Sequence, residues 1–137
     1  MLNSLIEDNF EGNYITALDI SLGDSPQSLI EKKGKPHHSS KHNSFPYLEY
    51  IESGINVKYF YQIIVDGKDQ PQIYSVHLSF PGDQEWIEYR EMQLKWCPGE
   101  AEDEEYYLEK FTNGVYLYAG FNEKTKQLNE MHIKHGQ

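Results

Sequence analysis

One cysteine, Cys97, is the only thiol in the chain. It cannot pair within the chain, so no disulfide framework supports the fold, and a reducing compartment, the cytoplasm, is the expected setting. No spacing of Cys and His reads as a zinc site. Long apolar runs are missing too. Nowhere do about 18 apolar residues follow one another, as a membrane-spanning helix requires, so no membrane association is expected. The opening "MLNSLIEDNFEGN" puts Glu7 and Asp8 where an export signal needs positive charge, which sets the expectation of an unexported chain. Positive charge is scarce throughout: 12 Lys and Arg stand against 22 Asp and Glu, a net charge of -10. Such a balance argues against direct nucleic-acid binding and fits a basic partner, although acidity also serves solubility alone.

Reactive motifs are equally sparse. There is no phosphate-binding glycine loop, no nucleophile elbow and no HExxH pattern. Cys97 precedes a proline in "KWCPGE", beside carboxylates that disfavour a reactive thiolate. His37, His38 and His42 cluster in "PHHSSKH", read as a loop, but adjacent histidines point apart in extended chain and nothing nearby completes a metal site. The expectation is a chain with no catalytic residue, no metal and no cofactor, hence not an enzyme.

What the chain does have is aromatic rings, 14% of its residues, with 11 tyrosines. It also echoes itself. Tyr47, Leu48, Glu49 and Gly54 recur as Tyr107, Leu108, Glu109 and Gly114, and Val76, His77 and Leu78 face Met131, His132 and Ile133 after a shorter loop. The 137 residues, 1–137, read as a single domain with an internal repeat at about 20–80 and about 81–135. Each half reads as αβββ. The expected fold class is therefore α+β, with the tandem units forming one antiparallel sheet and helices packed on one face. In "GDSPQSLIEKKGKP", Ser25 is a good N-cap, Pro26 suits the first helical position, Gly34 suits the residue after the end, and Pro36 prevents continuation. The spacing predicts a helix over Pro26–Lys33. In "QEWIEYREMQLKW", Trp86, Tyr89, Met92 and Trp96 fall at helical spacing, while Met92, Leu94 and Trp96 also alternate like a strand; helix is the reading taken.

Ser53-Gly54 and Asn113-Gly114 lie between alternating runs and predict two tight hairpins. A two-residue turn fixes the register, so Glu52 should oppose Ile55, Tyr50 Val57, Leu48 Tyr59, and Glu49 Lys58. Leu48, Tyr50, Ile55, Val57 and Tyr59 then point inward, with Tyr74, Val76, Leu78 and Phe80. Leu108, Val115, Leu117, Ala119, Met131 and Ile133 do the same in the second half. The outward face should carry Tyr47, Ile51, Phe60, Tyr107, Phe111, Tyr116 and Tyr118, interspersed with Glu49, Lys58, Glu109, His77 and His132. A connected aromatic face of this kind is an interaction patch unless another segment folds over it. "EAEDEE" precedes the second hairpin, and Glu100, Glu102, Asp103, Glu104 and Glu105 form either a solvated run or a charged rim to that face. The candidate partner-binding residues are thus Tyr47, Glu49, Phe60, those five carboxylates, Tyr107, Glu109, Phe111, Tyr116 and Tyr118.

The stretch "ISLGDSPQSLIEKKGKP", Ile20 to Pro36, resembles the opening of domains of the β-lactamase inhibitor protein and small outer-membrane assembly lipoprotein type. In the second half Trp96 stands where that pattern has a glycine, and the chain lacks the lipid-bearing N-terminal cysteine of the lipoproteins. The resemblance implies two tandem units whose aromatic sheet face clamps a protein. Together with the acidic, aromatic surface it points to a bacterial immunity protein in the cytoplasm that occludes a basic cognate toxin, a nuclease being one candidate. An adaptor or chaperone-like module, or a small enzyme or ligand-binding domain using the sheet concavity, are the other readings of the same surface. The sequence sets no oligomeric state.

Overall fold

The computed structural model describes residues 10–11, 14–40, 45–65, 67–96, 106–112 and 114–135. In chain order these form β1 (Phe10–Glu11), β2 (Tyr14–Ile15), β3 (Ile20–Ser21), α1 (Pro26–Lys33), β4 (His38–Ser40), β5 (Tyr47–Glu52), β6 (Ile55–Val65) and β7 (Lys68–Ser79). Then come α2 (Tyr89–Trp96), β8 (Tyr107–Thr112), β9 (Val115–Phe121) and β10 (Leu128–His135).

The hairpin registers follow from turn chemistry. Ser53 (φ 53°) and Gly54 (φ 79°) both take the left-handed region, as a two-residue primed turn demands. Glu52 therefore meets Ile55, Tyr50 meets Val57, Leu48 meets Tyr59 and Glu49 meets Lys58, as the sequence predicts. Gly114 (φ 80°) closes the second hairpin, where Thr112 faces Val115 and Glu109 faces Tyr118; Asn113 lies outside the described residues. Every pairing is antiparallel, and the main sheet runs β4-β5-β6-β7-β10-β9-β8. The two hairpins lie on opposite sides of the central β7·β10 pair.

α1 is framed as its sequence requires. The Ser25 hydroxyl accepts from the Ser28 N–H at 3.1 Å, Pro26 opens the helix, and the Gly34 N–H donates back to the Ile30 carbonyl at 2.8 Å. α2 is shorter than its periodicity suggests. Residues before it are held extended by the other end of the chain: Leu128 N–H donates to the Ile87 carbonyl and Tyr89 N–H to the Lys126 carbonyl, both at 2.8 Å. Within α2, Met92 and Trp96 are buried while Leu94 is 65% exposed, which is helical, not strand-like, spacing.

The expected α+β architecture of tandem αβββ units is overturned. Among the described residues, strand accounts for 54% and helix for 15%. Three physical causes account for the difference. The alternating run continues past Phe60, so β6 and β7 reach 11 and 12 residues around Gly67 (φ 76°). His38–Ser40, read as loop, pairs with the edge of β5 as β4. Residues ahead of α1 form a small three-stranded sheet, β1-β2-β3. Two helices of eight residues each cannot cover the inner sheet face, and Ile15, Leu18, Ile20 and Leu22 from this segment join Leu29, Tyr89, Met92 and Trp96 in the core. All the predicted inward residues are buried except Tyr74. It falls at a bulge, between Phe60↔Ser75 and Tyr61↔Ile73, and has no partner position in the ladder.

Candidate functional site

Residues paired directly across an antiparallel sheet share a face. The pairings therefore lay out the outer face as rows that run across the strands. The central row is His38, Glu49, Lys58, His77, His132, Tyr118, Glu109. A second row is Ser40, Tyr47, Phe60, Ser75, Lys134, Tyr116, Phe111. A third carries Ile51, Asn56, Ser79, Glu130, Gly120 and Tyr107.

The rings in these rows touch in series. His38 lies 5.9 Å from Tyr47, Tyr47 5.4 Å from Phe60, and Phe60 4.6 Å from His77. His77 and His132 are stacked at 3.8 Å with planes 11° apart. His132 lies 5.0 Å from Tyr118, which stacks on Tyr107 at 6.1 Å. Each of the seven strands contributes one ring to this ladder. Phe111 packs on Tyr116 at 5.0 Å and remains 68% exposed; Ile51 and Tyr107 are 55% and 45% exposed. Exposed rings gathered on one face make that face a candidate interaction surface.

Charge is threaded through the rings. Lys58 Nζ lies 4.9 Å from the Tyr47 ring centre and Lys134 Nζ 5.1 Å from that of Tyr116. The Tyr116 hydroxyl donates to Glu109 Oε2 at 2.5 Å. Partial burial, with Glu109 alongside, pushes the Tyr116 hydroxyl up to about 12, so it stays a donor. At the centre, burial foremost, then His132, Lys134 and Lys58, push His77 down to about 4. His132 is lowered as well, chiefly by burial and against the pull of Glu130, whose Oε1 lies 3.1 Å from its Nε2. The stacked imidazoles are therefore neutral at neutral pH.

A cavity of about 540 Å³ opens on this face, walled by Phe45, Tyr47, Phe60, Tyr74 and the two imidazoles. Ser75 and Lys134 complete its lining. Ser75 is 3% exposed, and its Oγ has no hydrogen-bond partner among the described residues. A second hollow of about 390 Å³ lies between Glu109, Phe111, Tyr116, Lys134 and His135.

Tyr47, Glu49, Phe60, Tyr107, Glu109, Phe111, Tyr116 and Tyr118 are thus all brought together on one face. Glu100, Glu102, Asp103, Glu104 and Glu105 lie outside the described residues, as do His42 and Cys97. The sequence places His77 and His132 on the outward face without assigning them a role, and they form its stacked centre. The same reading gives Ser75 no place, sets Tyr74 inward and takes His38 only as part of a histidine loop. Alternation alone puts Ser75 outward, but its burial depends on the rings around it. Among the described residues no group of three His, Cys, Asp or Glu side chains is placed to hold a metal ion.

No family model matches the sequence, and no curated protein matches it. Among solved structures, the chain is similar to a cysteine-rich secretory protein from Staphylococcus aureus subsp. aureus Mu50, with TM-score 0.49 and 7% identity over 83% of this chain and 44% of that one. It is also similar to an extracellular protein containing a SCP domain from Bacillus anthracis str. Ames, with TM-score 0.46 and 8% identity over 92% of this chain and 47% of that one. The chain spans less than half the length of either.

Proposed function

We propose that the outer sheet face is a protein-docking surface and that the chain is a cytoplasmic inhibitor, an immunity protein that occludes a basic toxin. The observation that carries this reading is the unbroken ring ladder across the sheet, flanked by exposed Phe111, Ile51 and Tyr107. Stiff rings with polar tips supply anchors at little entropic cost, and tyrosines dominate the energetic centres of tight interfaces. The net charge of -10 supports a basic partner, such as a nuclease whose own surface must bind polyanions, by steering the encounter. Inhibition by occlusion needs no catalytic group.

The test is co-expression with the product of the adjacent reading frame in a host that the product kills. Rescue by the wild-type chain, and its loss with Tyr116→Ala plus Tyr118→Ala, is the expected result. Rescue that survives the double substitution removes the face from the mechanism. No rescue by the wild-type chain, and no binding to basic toxin domains in solution, removes the immunity reading.

A further inference from the structure

We propose that the cavity at the centre of the face binds a planar aromatic carboxylic acid, its ring between Tyr47, Phe60 and the imidazole pair and its carboxylate between Ser75 and Lys134. The inference goes beyond protein docking and does not rest on it.

The first support is shape. At about 540 Å³ the cavity has the size of small-molecule sites, roughly 300–1,000 Å³, and such sites are walled by rings with a few polar groups that fix orientation. The second is Ser75. Its hydroxyl sits just beneath the cavity wall, closed to water and unpartnered among the described residues, a costly state that a ligand oxygen relieves once a side-chain shift in the wall uncovers it. In the ladder it faces Phe60 on one side and Lys134 on the other, so an oxygen that reaches Ser75 lies next to an ammonium and has a ring beside it.

The third support is charge. This chain carries -10 overall, yet no carboxylate is among the described residues lining the cavity, and Lys134 is. Lys58, the next cation along the face, lies over Tyr47 on the cavity wall. Of the described acids flanking the cavity wall, Glu49 stands opposite Lys58 and Glu130 is engaged by His132 at 3.1 Å. Both lysines meet ring faces here, a contact that a carboxylate replaces with a stronger one. The imidazoles, held neutral by burial, each keep one N–H donor and one acceptor and add no repulsion toward a neutral ring. An anion enters an acidic protein only where its charges are locally reversed, and this cavity is such a place.

The experiment is a titration of the full chain with benzoate and with indole-3-acetate, following the imidazole Cε1–H resonances by NMR, with benzamide and acetate as controls. Both aromatic acids should give saturable shifts at His77 and His132 with Kd roughly millimolar, as the size of the ligands allows. Benzamide, which keeps the ring but not the charge, and acetate, which keeps the charge but not the ring, should bind at least about tenfold more weakly. Lys134→Met and Ser75→Ala should each weaken the acids by about threefold or more. Lys134 is exposed, so its substitution leaves the fold intact even if Ser75→Ala perturbs the sheet. Equal binding of benzamide, absence of saturable shifts, or undiminished affinity in Lys134→Met each overturns the proposal. No protein partner is present, so the outcome is independent of the toxin-rescue assay.

Discussion

Tyr59 shows how this core accepts a polar atom. The side chain is fully buried, and its hydroxyl donates to Glu52, which also receives Lys33 Nζ at 2.6 Å. Burial, with Glu52 beside it, raises the Tyr59 hydroxyl far above its usual range and keeps it a donor. Tyr59→Phe should cost about 1 kcal/mol in urea unfolding, because the Lys33 pair still satisfies Glu52. Ser75 is the opposite case. With no partner for its Oγ among the described residues, Ser75→Ala should leave the free protein as stable as wild type or up to about 1 kcal/mol more stable; a clear loss would mean that the hydroxyl is satisfied after all. His77 ties stability to pH. Its folded value, about 4, lies below the ordinary 6.5, so between these values the unfolded chain binds the extra proton. The contribution is whole above pH 6.5 and is lost as pH falls toward 4, with His132, Lys134 and Lys58 around the ring adding to burial in disfavouring its protonated form. Discounted for partial exposure, it is about 1 kcal/mol, and the pH dependence of urea midpoints should be flatter by that amount in His77→Phe across the same window.

At the scale of the element, legibility followed locality. α1 was readable to the residue because its cap, its proline and its terminal glycine all act within one stretch. The β5·β6 register was readable because a two-residue turn sets it. Gly54 sits at φ 79°, where an L side chain is strained, so Gly54→Ala should lower stability by about 1 kcal/mol or more, while Ser53→Asn should hold or raise it; thermal melts of the pair decide the point. The sequence carries the same signature once more as Asp66-Gly67, a hairpin signal that fits the pairing of Val65 with Lys68 and the positive φ of Gly67 (76°). Other elements left no local trace. β4 is polar and three residues long, and exists because β5 offers an unpaired edge, with the His37 N–H also donating to the Glu49 carbonyl at 2.8 Å. β1–β3 are two residues each, too short for any period. Residues 84–88 look helical but are captured by the approach to β10, a contact from 40 positions away that periodicity does not register.

For the whole molecule, the decisive event is the pairing of β7 with β10, which sets His77 against His132 and merges two outward faces into one. The outward residues of each hairpin were legible from alternation; the stacked centre and the cavity were not, since both require the strand order. Charge belongs to this scale too. If an acidic chain of net charge -10 steers a basic partner, the association rate should fall by about tenfold between 0.05 and 0.5 M salt while dissociation changes little, measured by surface plasmon resonance at both strengths. Salt-independent association would remove steering from the account.

The ring ladder also acts as a ruler. Because its rungs run across the strands, their pitch is the hydrogen-bonding interval, roughly 4.8 Å, and lengthening or trimming any strand leaves that pitch unchanged. Neighbouring strands usually rotate by about 20–25°, so six intervals turn the outermost rings through well over a right angle. A rigid, flat object can therefore touch only a few adjacent rungs, while a contour that coils with the sheet can read them all.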